Sequence, residues 1–425
     1  MASPRAREAI WLVVVALAVT AAYGTVWLAQ SRVVSSTGLV WGGAFLALML
    51  TAHLVVRRVL PLADPWLLPG AGLLTGLGIT MVYRIKPDLA GKQTAWFVVA
   101  LVLMGLLVIF VRDHHVLERY KYVIGAGSVL MLAITISPLG KEVNGSQLWI
   151  DFGPAQIQPG EFAKIGLVIF LAAYLRENRE LLAQRISPKH LGPLLLFWLM
   201  SLGLLVLMND FGSSLLFFGS FLLLVYVATG RAWYPIVGGI SFIAGSAFVY
   251  RIAGHVRDRF NVWLDPWATP DTTGYQPLQA LFALGDGGLF GRGLGQAYVV
   301  AENGATIIPD AQTDFIFAVI ADELGFVGAV GVLLVFVVLA WRGFHIAASC
   351  RDGYSKLLAF GLSAVFAMQT IIIVGGIVRL LPLTGQTLPF ISYGGSSLLA
   401  NWLLIGLLLM ISHHGAVERR AEAVR

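Results

Sequence analysis

Apolar residues fall along this chain in long blocks, separated by short basic turns and by one extended polar run. A helix needs about 20 apolar residues to cross roughly 30 Å of hydrocarbon. Blocks near residues 9–30, 37–60, 66–83, 94–111, 122–138, 161–175, 191–208, 212–229, 234–250, 314–341, 357–380 and 388–412 meet or approach that length. They predict an all-α polytopic membrane protein, a helical bundle of about 12 transmembrane helices with a large extracellular loop at about 254–312. Composition agrees, with 58% hydrophobic and 12% charged residues and a mean hydropathy of +0.80. Soluble multidomain readings are excluded.

Charge adds orientation. With the N-terminus inside, 18 of the 29 Lys and Arg residues fall in cytoplasmic segments, Arg57, Arg58, Arg342 and Arg351 among them. That is the bias of a plasma-membrane protein with both termini cytoplasmic. Attraction to anionic lipid accounts for the net charge of +6, and no nucleic acid is called for. The single cysteine, Cys350, falls in a cytoplasmic loop, so the exported loop has no disulfide framework. The first helix has a basic flank but is long and lacks a small-residue cleavage motif, so it is read as retained.

The polar run from Phe260 to Gly325 changes the picture most. It concentrates Asp265, Asp271, Asp286, Glu302, Asp310, Asp314 and Asp322 in a chain poor in charge, and is read as the working part. Acids at a helix start complement the dipole by roughly 0.3–1 kcal/mol, one account of Asp310 and Asp314. Burial and neighbouring acids raise a carboxyl pKa while the helix N-terminus lowers it, so Asp314 equally suits a poised base. Asp322 and Glu323, about two turns deeper, need polar partners or a cavity. The glycines at 285, 287, 288, 291, 293 and 295 do not make GxxxxGK[ST], so no nucleotide is expected. Their backbone amides, with Arg292, still suit a phosphate.

Earlier and later motifs fall on the same outer side. SQLWIDFG carries Trp149, which suits either an interface belt or a stacking platform for a sugar ring. Pro159 starts a helix with Glu161 and Lys164 at i, i+3, where they share a face. A helix-start acid beside a snorkelling lysine and a functional ion pair both fit them. Asp210, in MNDFGSS, is either a cap of the next helix or a member of the same group. GGIVRLLPLTGQTLPFISYGGSS breaks a membrane helix with Pro382, Gly385, Pro389, Gly394 and Gly395. Such backbone is tolerated only against a cavity or protein, and Arg379 there is placed to meet an anion. His53, alone in an apolar block, reads as a packing residue. Of the eight histidines only His255 falls outside, so a histidine-ligated catalytic metal is not expected. A divalent cation, Mg²⁺ or Mn²⁺, held by carboxylates and lipid phosphates fits better.

Together SQLWIDFG, QPGEFAK, DFGSSLL, GYQPLQALFALGDGGLFGRGLGQ, IPDAQTDFIFAVIADELG and LPLTGQTLPFISYGGSS resemble the SEDS family of cell-wall polymerases, represented by RodA, FtsW and SpoVE. The runs keep family order over residues 64–413, and GGIVRLLPLTG is closer to the RodA branch. The family usually has ten helices, which implies an N-terminal addition of a tail and two helices over 1–62, a core over 63–413 and a cytoplasmic tail over 414–425. Gly160, Asn209, Gln312 and Asp286 depart from the family's usual residues without removing a carboxylate from the site.

The resemblance implies polymerisation of lipid II into glycan strands outside the plasma membrane, beside a class B penicillin-binding protein. It places the essential aspartate at Asp314 and carries substrate contacts onto Trp149, Glu161, Lys164 and Asp210, with Asp310, Arg292 and Arg379 as the further candidates from the residues themselves. The expected reaction is an inverting glycosyl transfer. The competing reading is a lipid II flippase, since intramembrane charges and broken helices also suit transport. The outer clustering of the acids favours the polymerase.

Overall fold

The computed structural model describes residues 4–33, 36–143, 145–153, 156–184, 188–298 and 306–423. The helices run α1 (Pro4–Ser31), α2 (Thr37–Val59), α3 (Leu67–Ile85), α4 (Pro87–Val111), α5 (His115–Arg119), α6 (Lys121–Ile136), α7 (Pro159–Gln184) and α8 (Pro188–Leu207). They continue with α9 (Phe211–Thr229), α10 (Trp233–Ile252), α11 (Gly254–Leu264), α12 (Tyr275–Asp286), α13 (Ile316–Ser349), α14 (Gly353–Ile377) and α15 (Gly395–Ala423). Between α6 and α7 lies a small antiparallel sheet of β1 (Gly140–Val143), β2 (Ser146–Asp151) and β3 (Gln156–Ile157), with Lys141 opposite Trp149.

Every apolar block of the sequence forms a helix, yet only nine of the described helices are long and apolar enough to cross a membrane. The expected count of twelve is therefore not reached on that measure. The three that fall short are α6, α7 and α8. The first has 16 residues, and the apolar part of α8 is only Gly192–Leu207. The end of α7 carries Arg176, Glu177, Arg179 and Glu180, which break its apolar stretch.

Helices apolar all round either sit in the core or face lipid, and both occur. The apolar stretch of α15 is 94% buried and that of α10 is 0% buried. Hence α15, packed chiefly against α4 and also meeting α3, α7, α13 and α14, is the centre of the bundle, while α10 shows Ile236, Ile240, Ile243 and Phe248 to its surroundings. The two N-terminal helices join through buried polar contacts. Glu8 on α1 pairs with Arg5 at 2.5 Å and meets His53 Nδ1 of α2 at 2.6 Å. His53 therefore has an ionic partner as well as a packing role.

The glycine run closes a break in α13. Gly325 has φ +68°, which interrupts the helix and frees backbone groups on both sides. The amides of Arg292 and Gly293 donate to the carbonyls of Asp322 and Glu323, at 3.0 and 2.9 Å. In return the amides of Phe326 and Val327 donate to the carbonyls of Gly288 and Leu289, at 2.8 and 3.0 Å. A Cβ at Gly291 would collide with the Glu323 carbonyl, so the approach requires glycine there.

Candidate active site

A cavity of about 770 Å³ opens among the start of α4, β2, the first turns of α7 and α9, α11 and the irregular stretch before α15. Trp149, Glu161, Asp210, Asp310 and Asp314 all line it. Five of the eight expected site residues, far apart in sequence, thus meet in one space.

Asp314 sits just before α13 on a segment held by the final broken motif. The Tyr393 amide donates to the Gln312 carbonyl at 2.8 Å, and the Ser392 hydroxyl to the Thr313 carbonyl at 2.5 Å. Gln93 of α4 ties down the same turn through the Ser392 carbonyl, at 3.1 Å. The backbone is strained here: Asp310 has φ +54° and Phe390 φ +66°. Strain of this kind in non-glycine residues persists only where surroundings enforce it, and it collects at functional sites. Burial, and then the charge of Asp310, push the Asp314 carboxyl up to about 6.

Facing Asp314 is Arg259, a residue the sequence reading left without a role. Both flank Gly385, whose φ is +69°. A Cβ at Gly385 would lie 3.7 Å from Asp314 Oδ2 and 4.0 Å from Arg259 Nη2. Arg259 donates to the Thr384 carbonyl at 3.3 Å. Its charge also acts on Asp210, whose carboxyl is raised mainly by burial. Lys92 and Gln386 are further lining groups missing from the sequence reading.

Asp210 satisfies both of its sequence readings. It caps α9, accepting from the Ser213 amide at 2.9 Å and the Ser213 hydroxyl at 2.6 Å, and it lines the cavity. Gln386 donates to it at 3.1 Å. Glu161 and Lys164 form a buried pair at 2.5 Å, with Lys164 turned away from the cavity to Gln369 Oε1 at 2.7 Å. Gln369 in turn donates to the Thr387 carbonyl at 2.9 Å, so the pair braces the broken motif.

Arg292 and Arg379 do not line this cavity. Arg292 pairs with Asp286 at 2.7 Å and with Asp322 at 3.4 Å, and the amides of Arg292, Gly293 and Gly295 are taken by α13 while those of Gly287, Gly288 and Gly291 donate within the preceding turns. The expected phosphate cradle is therefore a helix splice. Arg379 donates to the carbonyls of Trp263 and Leu264, at 2.8 and 3.0 Å, while the Trp263 indole donates back to the Arg379 carbonyl at 3.0 Å. It is a latch rather than an anion contact: it pins α11 to the end of α14 and so presents Arg259. Glu302 and the side chain of His255 lie outside the described residues.

The fold and site define a membrane enzyme with its carboxylates gathered at one end. The FtsW/RodA/SpoVE family, described as cell cycle proteins, matches residues 65–416. Peptidoglycan glycosyltransferase RodA of Mycobacterium tuberculosis is 42% identical over 394 residues, 88% of this chain and 83% of the relative. Stage V sporulation protein E of Bacillus subtilis is 36% identical over 287 residues, covering 67% and 76% of the two chains. Among solved structures, a chain from a peptidoglycan synthase complex superposes with TM-score 0.69 and 27% identity, over 83% of this chain and 98% of that one. The rod shape determining protein RodA of Thermus thermophilus gives TM-score 0.61 at 29% identity, over 82% and 96%. This chain belongs to the FtsW/RodA/SpoVE family, the SEDS class of membrane-embedded peptidoglycan glycosyltransferases. Its activity is the polymerisation of cell-wall glycan.

Proposed function

We propose that this cavity joins lipid II units into β-1,4-linked glycan strands on the outer face of the plasma membrane, with Asp314 as general base. Asp314 takes the proton of the acceptor sugar hydroxyl as that oxygen bonds to the donor's anomeric carbon. The bond from that carbon to the lipid pyrophosphate breaks with inversion, and the pyrophosphate leaves with its lipid. The observation that carries this is Asp314 itself: a carboxyl raised toward neutrality, opening into a large cavity opposite Arg259. A base near the working pH is the most effective one. Arg259, with Lys92 at the rim, is the cation that meets the leaving pyrophosphate. Asp210 and Asp310 orient the acceptor, and Trp149 offers a face for a sugar ring.

Asp310 and Asp314 also offer the hard oxygen donors that Mg²⁺ or Mn²⁺ prefers. Such a cation, when bound, would neutralise phosphate charge. The distribution of Lys and Arg supports cytoplasmic termini. The likeness to a chain of a peptidoglycan synthase complex supports a cross-linking partner, a class B penicillin-binding protein. A flippase reading has less support, because along α7 the polar lining of the cavity ends at Glu161. Beyond it Leu167, Val168 and Leu171 are buried and apolar.

The test is strand formation from lipid II by the purified protein with its transpeptidase. Wild type is expected to make strands and Asp314→Asn to make none. Wild-type turnover by that variant would remove Asp314 from the chemistry.

A further inference from the structure

At the end of α4 away from the cavity, the chain turns through Asp113, His114 and His115 into α5. The two imidazoles are held in the same way. His115 Nε2 lies 3.1 Å from Asp352 Oδ2, and His114 Nε2 lies 2.6 Å from the Ser355 hydroxyl. That hydroxyl donates to Asp352 Oδ2 at 2.9 Å, so it accepts from His114. His114 therefore carries its proton on Nε2, His115 has a carboxylate oxygen against each ring nitrogen, and both rings trace back to one carboxylate at the start of α14. This leaves the two Nδ1 atoms turned toward Asp113, at 2.8 Å from Oδ1 for His115 and 3.9 Å for His114.

His114 is 0% exposed, and its Nδ1 has no hydrogen-bond partner among the described residues. A buried nitrogen left bare in this way is rare and unfavourable. Metal-binding histidines show the same arrangement, with the far N–H given to a carboxylate or its relay and the near nitrogen facing the ion. All three ligand atoms lie within 4.8 Å of one another. Tetrahedral ligands at about 2.0–2.1 Å from zinc stand roughly 3.3 Å apart. The separations of 2.8 and 3.9 Å bracket that value.

We propose that Asp113, His114 and His115 form a three-ligand site for a divalent transition-metal ion of the zinc class, fastening the α4–α5 turn to the start of α14. Asp113 Oδ1 already accepts the His115 amide at 3.0 Å, which fixes the carboxylate in place. The fourth position faces outward, where Asp113 and His115 are partly exposed, and water completes the shell. The site is separate from the cavity and independent of the reading given to Asp314.

The experiment uses the full chain without a polyhistidine tag, stripped by chelator in detergent and titrated calorimetrically with zinc ion alone. One equivalent is expected to bind and to raise the thermal midpoint. Asp113→Asn and His115→Ala are each expected to abolish that binding, and Asp352→Asn to weaken it about 10–100-fold. His345→Ala, a histidine elsewhere, should leave it unchanged. Exposed Asp113 is the primary position, since a buried His114 variant reports on folding as well. If wild type binds no more zinc than the Asp113→Asn, His115→Ala double variant, the cluster is a histidine–carboxylate hydrogen bond only and the proposal is overturned.

Discussion

Two acidic centres lie nine residues apart around the start of α13, and the protein treats them in opposite ways. Glu323 is 0% exposed and has a donor on each oxygen. Arg84 donates to one of its oxygens at 2.8 Å, and the Gly295 amide to the other at 3.0 Å. Arg84 is itself fixed to the Ala297 carbonyl at 2.6 Å. Asp314 has no ion-pair partner among the described residues and opens into the cavity, with Arg259 across Gly385. A buried charge with a counter-ion on one oxygen and a backbone amide on the other braces structure and faces no substrate. The one left open is the one that can take a proton. The same contrast separates Arg292, committed to Asp286 and Asp322, from Arg259 in the cavity.

The comparison breaks or sharpens under substitution. Asp314→Asn should lower polymerisation by about 10²–10⁴-fold, the range of a lost general base, with unchanged membrane insertion. Arg259→Gln should follow with a loss on the order of 10²–10³-fold, measured as turnover on lipid II, because it removes the cation that we propose meets the leaving group. Glu323→Gln should do the reverse. It leaves Arg84 buried without its counter-charge, which is destabilising by about 3–5 kcal/mol, yet turnover per folded molecule should stay within a few-fold. Thermal unfolding alongside the strand assay separates the two effects. Should Glu323→Gln abolish turnover at an unchanged melting midpoint, the division into bracing and chemical carboxylates would be lost.

Much of this was legible before any coordinates. Hydrocarbon forces long apolar helices, so each block became one, and the shortfall falls where α6 and α8 are short or α7 is charged. The place of Asp314 at the cavity was legible because an acid ahead of an apolar helix needs a reason to be there. Arg259 was not, because its place depends on the Arg379–Trp263 latch between segments 116 residues apart. The glycine run misled for a related reason. Its amides do bind oxygen acceptors, but for Arg292 and Gly293 these are the Asp322 and Glu323 carbonyls freed by one unusual φ at Gly325, which residue types do not announce. Lys164 misled in direction only, since an i, i+3 pair can turn toward a cavity or toward Gln369.

The smallest effect is a dependence on pH that the two centres should not share. With the Asp314 carboxyl near 6, polymerisation should rise with pH through that value and level off above it, as the base loses its proton. Stability should run the other way. A carboxyl whose folded pKa lies above its unfolded value of 3.8 holds its proton more tightly when folded. That contribution is fully present below about 3.8 and is lost as pH rises through about 6. Asp314→Asn should therefore melt with wild type at acid pH and above it from about pH 6 upward, by a few degrees in scanning fluorimetry. An inactive variant that is also the more stable protein at neutral pH is the signature of a carboxylate kept open for chemistry. Equal midpoints across the range would instead place Asp314 among the satisfied carboxylates, beside Glu323.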